Sequence, residues 1–407
     1  MAKVFQDKVV VSIDVGTTKI CVLVAQYEHG DLQILGMGKA PSDGLRKGVV
    51  VDMQKTVASI KTALKEAEQM ANVVIHSAAV GVSGGHISAT NSQGMVPIKS
   101  GFVQQQDITN VLNAARAFAI PEEMQILHVL PQFFIIDARD KVQNPLGMHG
   151  IRLQVHAHVI MGAIASVQNL VRCCELAGVK VTDIILEQLA SAQAVLSRDE
   201  RELGVAMLDI GGGTSDLALY QQGNIRHTFV LPVAGNHFTN DLAVCLRTTF
   251  KDAERIKKEY GLAYDALLEQ DSLIEIDAVQ GNEKQYIKRS DIVAILQPRA
   301  HELLSLIHDE ITKQSLTTFM PAGFVLTGGG SLLPGIKELA ETIFKVPVRI
   351  GALPINNETW QSLQSPIYAT GYGLLKQVIN DKNSLSVEGP LTMRIFMRMK
   401  SWITDFF

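Results

Sequence analysis

Two short loops combine an aspartate with glycines and threonines, a set of residues that suits phosphate and metal chemistry. Each loop ends an apolar strand: VSIDVGTTK covers 11–19 and AMLDIGGGTSD covers 206–216. Glycine turns expose backbone N–H groups that can surround phosphate oxygens, and threonine hydroxyls add further donors. A carboxylate inside an apolar strand needs a partner, and a hydrated Mg²⁺ is a suitable one. Asp14 and Asp209 are therefore the candidate metal residues, with Mg²⁺ held through water.

Both loops are expected to be hairpin turns, because a second strand and not a helix follows each of them. These following strands are predicted at 20–27 and 215–220. In the first turn, Gly16 is expected to need a positive φ. The repeated pattern indicates a duplicated domain with one phosphate-binding hairpin in each half.

A third glycine loop, FVLTGGGSLLPG at 324–335, leads from an apolar strand into a helical pattern at 334–345. Glycines between a strand and a helix let a flat ligand approach the backbone and the helix N-terminus. Any one loop could be a plain turn, but the three in this order predict one nucleotide site. The chain lacks a GxxxxGK[S/T] P-loop, and hairpins after the first two loops exclude a Rossmann arrangement.

Chain length, net charge, cysteine content and apolar runs limit the classes of protein to which the chain can belong. A chain of 407 residues predicts two or more domains, and a net charge of −4 gives no indication of nucleic-acid binding. The four cysteines form no CxxC pair, so neither a zinc site nor a disulfide framework is suggested. We find no secretory h-region and no apolar run near the roughly 20 residues of a spanning helix. Any membrane contact is therefore expected to be peripheral.

The predicted elements alternate between strands and helices, which indicates sheets covered by helices. A block at 84–161 reads as an insertion of strands with one helix. Other helices are predicted at 53–70, 166–177, 187–196 and 290–314, and a strand at 73–82. Residues 380–390 are polar, with glycine and proline, and predict a flexible linker.

The last segment, 391–407, has apolar side chains at helical spacing with basic residues beside them. This pattern predicts an amphipathic helix lying in the surface of an anionic membrane. The alternative is a terminal helix docked on the core. The apolar candidates are Ile395, Phe396, Met399, Trp402, Ile403 and Phe406, and the basic candidates are Arg394, Arg398 and Lys400.

The three loops in this order resemble the superfamily of actin, sugar kinases and DnaK-type chaperones. More specific segments are GLRKGVVVDM at 44–53, HVLPQFFIID at 128–137 and NPLGMHGIRL at 144–153, which look like the FtsA family of bacterial cell-division proteins. The resemblance covers nearly the whole chain. It implies an α/β, actin-like fold: two duplicated, ribonuclease H-like lobes, an inserted α+β subdomain and a C-terminal amphipathic helix.

The family plan implies the subdomain boundaries. Subdomain 1A would cover 1–83 and 162–197, the inserted subdomain 1C would cover 84–161, subdomain 2A would cover 198–227 and 315–379 with a return to 1A, and subdomain 2B would cover 228–314. The linker at 380–390 and the membrane-targeting helix at 391–407 would follow.

The resemblance implies that ATP and Mg²⁺ are bound by the three loops. The first phosphate site would be Asp14, Gly16, Thr17, Thr18 and Lys19; the second would be Asp209, Gly211, Gly212, Gly213 and Thr214; the adenosine site would include Gly328, Gly329 and Gly330.

Further site residues follow from shorter matches. Glu254 and Lys257 match positions that contact ribose and adenine, and they share a helix face because they are three apart. A solvated surface ion pair is the alternative for these two. Glu187 would orient the attacking water, so Glu187 and Asp209 are the catalytic candidates. Gln188 stands where relatives usually have proline.

The implied function is a membrane-tethered cytoskeletal adaptor with at most slow ATP hydrolysis. It would form filaments and tether FtsZ filaments to the cytoplasmic face of the inner membrane at the division site. The FtsZ C-terminal peptide would dock on 228–314, with Arg299 and Glu302 as candidate contacts, although these two could equally be a surface pair. The insert would serve self-assembly and contact other division proteins.

Two alternatives share the superfamily. A metabolite kinase of the sugar-kinase type would need a catalytic base near the first phosphate loop and a sugar pocket, and the sequence shows no such constellation. A chaperone ATPase would need a peptide-binding domain after the nucleotide domain, and few residues follow Gly373.

Overall fold

The computed structural model of the protein describes residues 9–28, 31–138, 141–277, 284–355 and 358–384. The strands are β1 (Val9–Val15), β2 (Lys19–Glu28), β3 (Asp31–Pro41), β4 (Leu45–Arg46), β5 (Val49–Val50), β6 (Ser77–Val82), β7 (Ile87–Pro97), β8 (Met124–Ile136), β9 (Lys141–Val142), β10 (Arg152–Ala163), β11 (Lys180–Leu186), β12 (Val205–Ile210), β13 (Ser215–Gln221), β14 (Asn224–Leu231), β15 (Leu273–Asp277), β16 (Lys284–Lys288), β17 (Phe324–Thr327) and β18 (Val348–Ile350). The helices are α1 (Met53–Ala71), α2 (Gln105–Arg116), α3 (Ile164–Leu176), α4 (Glu187–Val195), α5 (Arg198–Leu203), α6 (Gly235–Cys245), α7 (Phe250–Tyr260), α8 (Arg289–Lys313), α9 (Ile336–Phe344) and α10 (Ala369–Ser384).

Two five-stranded sheets are built to the same plan. Their strand orders are β11-β6-β1-β2-β3 and β14-β13-β12-β17-β18. In each sheet the first three strands in sequence form an antiparallel meander, and the two later strands join in parallel. This repetition confirms the predicted duplication. The first two glycine loops lie in the β1–β2 and β12–β13 turns, as predicted.

Helices cover these sheets because each one has an apolar face. In α1, the buried face includes Ile60, Ala63, Leu64 and Ala67, which recur at helical spacing. The helix begins where the Asp52 side chain accepts a hydrogen bond from the backbone N–H of Lys55 at 3.1 Å. Burial of these apolar faces stabilises the sheets, and the sheets position the loops at the ends of their strands.

The insert forms its own α+β layer, as predicted. Its sheet has the order β7-β10-β8-β9, and α2 packs on it. The core between them is apolar and includes Ile108, Leu112, Phe134 and Leu153. The insert therefore has a hydrophobic core separate from the cores of the two lobes.

The two lobes meet across α4 and α10, which lie between the sheets. One buried cluster joins Leu189 of α4 and Leu374 of α10 with Leu23 of the first sheet and Met207 of the second. This shared core fixes the positions of the two hairpin turns relative to each other.

Some predicted boundaries were wrong. The strand expected at 73–82 begins only at Ser77. The helix expected at 334–345 is present as α9, and a 3₁₀ turn, Gly329–Leu332, precedes it. Helix α10 runs to Ser384 and therefore covers the start of the expected linker at 380–390. Its buried face, which includes Leu375 and Ile379, stabilises the helix, so polar residues are tolerated in the last turn.

The expected membrane helix at 391–407 lies outside the described residues, so it stays a prediction. Among the residues that the structure does describe, no helix is both long enough and apolar enough to cross a bilayer.

Candidate functional site

A cavity of about 700 Å³ lies between the two lobes, within the usual range of about 300–1,000 Å³ for small-molecule sites. Every residue that the sequence suggested for nucleotide, metal or water lines this cavity: Asp14, Gly16, Thr17, Thr18, Lys19, Glu187, Asp209, Gly211, Gly212, Gly213, Thr214, Glu254, Lys257, Gly328, Gly329 and Gly330. The fold thus brings together three loops that are far apart in sequence.

The two hairpin turns approach each other closely, and the glycines of the second turn make this possible. A Cβ on Gly212 would lie 1.7 Å from Thr18 Oγ1, and one on Gly213 would lie 2.4 Å from Thr17 Oγ1. Neither distance is compatible with a side chain. The threonine hydroxyls of one lobe therefore lie directly against the bare backbone of the other.

Gly16 does not adopt a positive φ, so that expectation was wrong. The hairpin closes instead through the Gly16 N–H, which donates to the Lys19 carbonyl at 3.0 Å. A Cβ on Gly16 would lie 3.0 Å from the same oxygen, so tight packing accounts for the glycine.

The first hairpin carries an ion pair at the cavity wall. Lys19 Nζ donates to Asp14 Oδ2 at 2.7 Å, and Asp14 is only 5% exposed. Burial opposes the lysine charge, but the adjacent Asp14 carboxylate outweighs it and raises the pKa of Lys19. Lys19 therefore stays cationic and is positioned to attract phosphate.

Asp209 ends β12 and is held by two hydroxyls. Ser191 Oγ donates to Asp209 Oδ2 at 2.5 Å and Thr370 Oγ1 donates to the same oxygen at 3.1 Å. Burial nevertheless raises the pKa of Asp209. These hydroxyls come from α4 and α10, so the helices between the lobes orient this carboxylate.

Glu187 is the first residue of α4, and its side chain lines the cavity. Burial, followed by the charges of Asp14, Asp216 and Asp209, raises its pKa well above the usual range. The surroundings of Glu187 thus favour the protonated form of its carboxyl group.

Asp216 also lines the cavity, and the sequence reasoning missed it. It accepts hydrogen bonds from Ser83 Oγ at 2.5 Å and Thr214 Oγ1 at 3.0 Å. Burial raises its pKa to about 7, with a further contribution from Asp209. The signal was present in the sequence, because Asp216 lies directly opposite Asp209 in the register of the hairpin.

Asp14, Asp209 and Asp216 all lie close enough to Glu187 to raise its pKa, so a bound cation would stabilise this group of carboxyls. No group of three or more His, Cys, Asp or Glu side chains within the described ranges is arranged to hold a metal directly. Mg²⁺ usually keeps several waters and needs only one or two carboxylates. Asp14 and Asp209 thus fit a hydrated Mg²⁺ bound through water.

Glu254 and Lys257 of α7 also line the cavity and form an ion pair of 2.7 Å. The Lys257 ammonium also donates to the Gly235 carbonyl at 3.0 Å and to Thr239 Oγ1 at 2.8 Å. Their side chains are 23% and 15% exposed, so the pair forms part of a partly buried wall. Glu254 and Lys257 are therefore not a solvated surface pair.

The N-terminus of α6 was another element that sequence reasoning missed. Gly235 and Asn236 line the cavity, and their N–H groups donate to the carbonyls of Gly211 at 3.0 Å and Gly212 at 2.8 Å. The second phosphate turn thus rests on the start of a helix, where a partial positive charge favours anions.

Arg299 and Glu302 lie away from the cavity, on α8. Arg299 donates two hydrogen bonds to Asp241 of α6, at 2.5 and 3.0 Å, and also pairs with Glu302. The structure therefore contains the i,i+3 pair, and the contact with a partner peptide stays a prediction.

Solved structures with the same fold define the class of protein. The PilM–PilN type IV pilus biogenesis complex matches with a TM-score of 0.66 at 17% identity, covering 90% of this chain and 98% of that chain. MreB5 of Spiroplasma citri bound to ADP matches with a TM-score of 0.54 at 17% identity, covering 93% and 100%. With the duplicated sheets, these matches show that the chain has an actin-like fold.

Sequence relatives identify the family. The family model for cell division protein FtsA matches residues 206–373, and the model for the SHS2 domain inserted in FtsA matches 84–161. FtsA of Pseudomonas aeruginosa is 43% identical over 99% of both chains, and FtsA of Escherichia coli K12 is 37% identical over 99% of this chain and 97% of its own. The chain belongs to the FtsA family of cell-division proteins.

This assignment confirms the resemblance drawn from the sequence and the actin-like fold that it implied. It also favours the cytoskeletal hypothesis over the metabolite kinase. The ligand and the roles of single residues stay predictions.

Proposed function

We propose that the protein binds ATP with Mg²⁺ between its lobes, assembles into filaments, and tethers FtsZ filaments to the cytoplasmic face of the membrane at the division site. The observation that carries the proposal is the convergence of three glycine loops and two aspartates on one cavity. Relatives described as cell division proteins and an actin-like neighbour described as bound to ADP support it.

Each part of the cavity suits one part of the nucleotide. The two hairpin turns offer backbone N–H groups, the hydroxyls of Thr17, Thr18 and Thr214, and the charge of Lys19 to the phosphates. Asp14 and Asp209 would accept hydrogen bonds from the waters of Mg²⁺, which shields the phosphate charge when bound. The loop 328–330 and the Glu254–Lys257 wall would hold the adenosine.

Hydrolysis is expected to be slow. Glu187 would orient the attacking water, but burial and the nearby carboxylates raise its pKa and so favour the protonated form, which cannot accept a proton from that water. A slow step suits a protein whose assembled state must persist.

The partners would occupy separate surfaces. The FtsZ C-terminal peptide would bind the subdomain at 228–314, and 391–407 would bind anionic lipid. The insert would contact other copies and other division proteins. Large apolar side chains exposed at one end of the insert support this last role: Phe102, Leu146, Met148 and Ile151.

The test uses the full chain, MgATP titration and a vesicle pelleting assay. Asp209→Ala should weaken ATP binding at least tenfold, whereas Asp309→Ala, an exposed aspartate on α8, serves as the matched control. Unchanged ATP affinity in Asp209→Ala contradicts the cavity as the ATP site. In the second assay, the wild type should carry FtsZ filaments to anionic vesicles, and absence of FtsZ from the pellet contradicts the tether.

A further inference from the structure

The chain passes from the first lobe into the inserted subdomain and back at neighbouring positions, here called the root, which comprises residues 83–86 with Gly162 and Ala163. Residues 83–86 lead from β6 into β7, and β10 returns beside them. Gly162 pairs with Ile87 in the sheet, and the Ala163 N–H donates to the His86 carbonyl at 3.2 Å. The chain segment that enters the insert is therefore hydrogen-bonded to the segment that returns from it. A rotation of the insert would move both segments.

Ser83, the first residue of the root, reaches into the other lobe. Its hydroxyl donates to Asp216 Oδ1 at 2.5 Å and lies 3.5 Å from the Thr214 hydroxyl. Ser83 is 4% exposed and Asp216 is 3% exposed, so this hydrogen bond is almost entirely buried. The root is therefore bonded to the hairpin that carries the second phosphate turn.

The root also touches the first phosphate hairpin, through Gly48. The Gly48 N–H donates to Thr17 Oγ1 at 3.1 Å. A Cβ on Gly48 would lie 2.4 Å from the Ser83 carbonyl oxygen and 2.8 Å from Gly84 Cα, and Gly84 itself adopts a φ of +143°. The backbone segments are in direct contact, so a displacement of the root reaches both turns.

A second contact ties the insert to the far end of the same hairpin. Gln132 of β8 donates from Nε2 to the carbonyls of Ile225 and Arg226, both at 3.1 Å. Ile225 pairs with Tyr220 at the end of β13, whose start carries Asp216. Ser83 of the root thus bonds near the start of β13, and Gln132 of the insert bonds to the β14 residue that pairs with the end of β13.

We propose that Ser83 is a positioning residue that couples the orientation of the inserted subdomain to the position of Asp216, and so to the occupancy of the cavity. The last step rests on the proposed function, in which the cavity binds ATP. Because coupling between two sites is reciprocal, ATP should alter the insert, and a partner that turns the insert should alter ATP affinity.

The first arm of the test needs no nucleotide. Hydrogen exchange of the Ile87 and Ala163 amides is measured in the full chain as wild type, Ser83→Ala, Asp216→Ala, which removes the acceptor of the Ser83 hydroxyl, and the double variant. Each single variant should accelerate exchange at least fivefold, and the double variant should add nothing. Ser92→Ala, which removes a hydroxyl bonded to the Ala115 carbonyl inside the insert, is the matched control and should leave these amides unchanged. If these amides exchange no faster in Ser83→Ala than in Ser92→Ala, the proposal is wrong.

The second arm adds saturating MgATP. Exchange at the same amides should slow in the wild type, in Ser92→Ala and in Ser83→Thr, which keeps the hydroxyl and also covers a failure of Ser83→Ala to fold. It should not slow in Ser83→Ala. Equal protection of the root in Ser83→Ala overturns the coupling. If the first arm gives the expected result but the wild type binds no ATP, the proposed ATP function is wrong. The bond from Ser83 to Asp216 is then still confirmed as a link between the insert and the second lobe.

Discussion

At the scale of single residues, the start of α4 places a buried amide without hydrogen-bond partners beside Glu187. Gln188 is fully buried, and neither its amide oxygen nor its amide nitrogen has a hydrogen-bond partner. Burying such a group without partners costs about 1–3 kcal/mol. The unpartnered amide of Gln188 is therefore a local weakness at the start of α4.

Gln188→Met should raise the free energy of unfolding by about 1 kcal/mol, because it keeps the length of the side chain and removes the unsatisfied amide. Denaturant unfolding of the nucleotide-free protein measures this. Gln193→Met, on the same helix, is the control, since the Gln193 amide oxygen accepts a hydrogen bond from Arg201 at 2.6 Å. A loss of stability in Gln188→Met contradicts the prediction.

Asp216 makes the stability of the nucleotide-free protein depend on pH. Its pKa is about 7 in the folded state against an ordinary value of 3.8, so the folded protein holds the proton more tightly. The contribution of this group is complete below about pH 4 and is lost as the pH rises through about 7. Stability should therefore fall over this interval.

Asp216→Asn should reduce that fall and be the more stable protein at about pH 8, by more than about 1.4 kcal/mol, the equivalent of one pKa unit. Part of the fall should remain, because burial also raises the pKa of Glu187 and Asp209. Unfolding free energies across the interval test this, with Asp309→Asn as a surface control. Parallel curves for the wild type and Asp216→Asn would contradict it.

At the scale of elements, the sequence predicted the two hairpins and missed what holds them together. The repeated Asp-Gly-Thr pattern and the strands around it were sufficient, because a hairpin depends on local residues. The bond from Ser83 to Asp216 spans 133 positions, and no local pattern indicates it. The need for glycine at 212 and 213 likewise becomes visible only in the fold, where a Cβ at these positions would lie 1.7 and 2.4 Å from threonine hydroxyls of the other turn.

Gly212→Ala should separate the two hairpin turns and weaken ATP binding at least tenfold, because its Cβ would lie 1.7 Å from Thr18 Oγ1. The matched control is Gly85→Ala, whose Cβ would meet nothing within 4 Å. Both proteins should melt near the wild-type temperature, since each change lies in a turn or loop. An ATP affinity in Gly212→Ala equal to that of the control would show that the turns need not touch.

On helix α8, Arg299 forms ion pairs with Asp241 and Glu302. Arg299→Glu places a carboxylate beside Asp241 and Glu302, and should weaken binding of the FtsZ C-terminal peptide about fivefold, equivalent to about 1 kcal/mol. Arg255→Glu is the control, because Arg255 has two similar ion pairs within the neighbouring helix α7. Peptide titration of both variants measures the difference. Equal affinities would place the docking surface elsewhere.

At the scale of the whole molecule, charge is distributed unevenly between the body and the tail. The chain has a net charge of −4, yet 391–407 carries Arg394, Arg398 and Lys400 against the single acid Asp405. An anionic membrane surface would repel the body and attract the tail, with about 1 kcal/mol for each basic residue near the lipid. This asymmetry would orient each copy with its tail toward the lipid.

Trp402→Glu tests whether that tail binds lipid or docks on the core. Burying a large apolar side chain contributes roughly 1.5–3 kcal/mol, and the variant loses this contribution and adds the cost of placing a charge among acyl chains. It should fold, melt and bind ATP as the wild type does, yet fail to pellet with anionic vesicles. Lys400→Arg keeps the charge and should pellet normally. A docked helix gives the reverse result: Trp402→Glu would then melt at a lower temperature and show little change in vesicle binding.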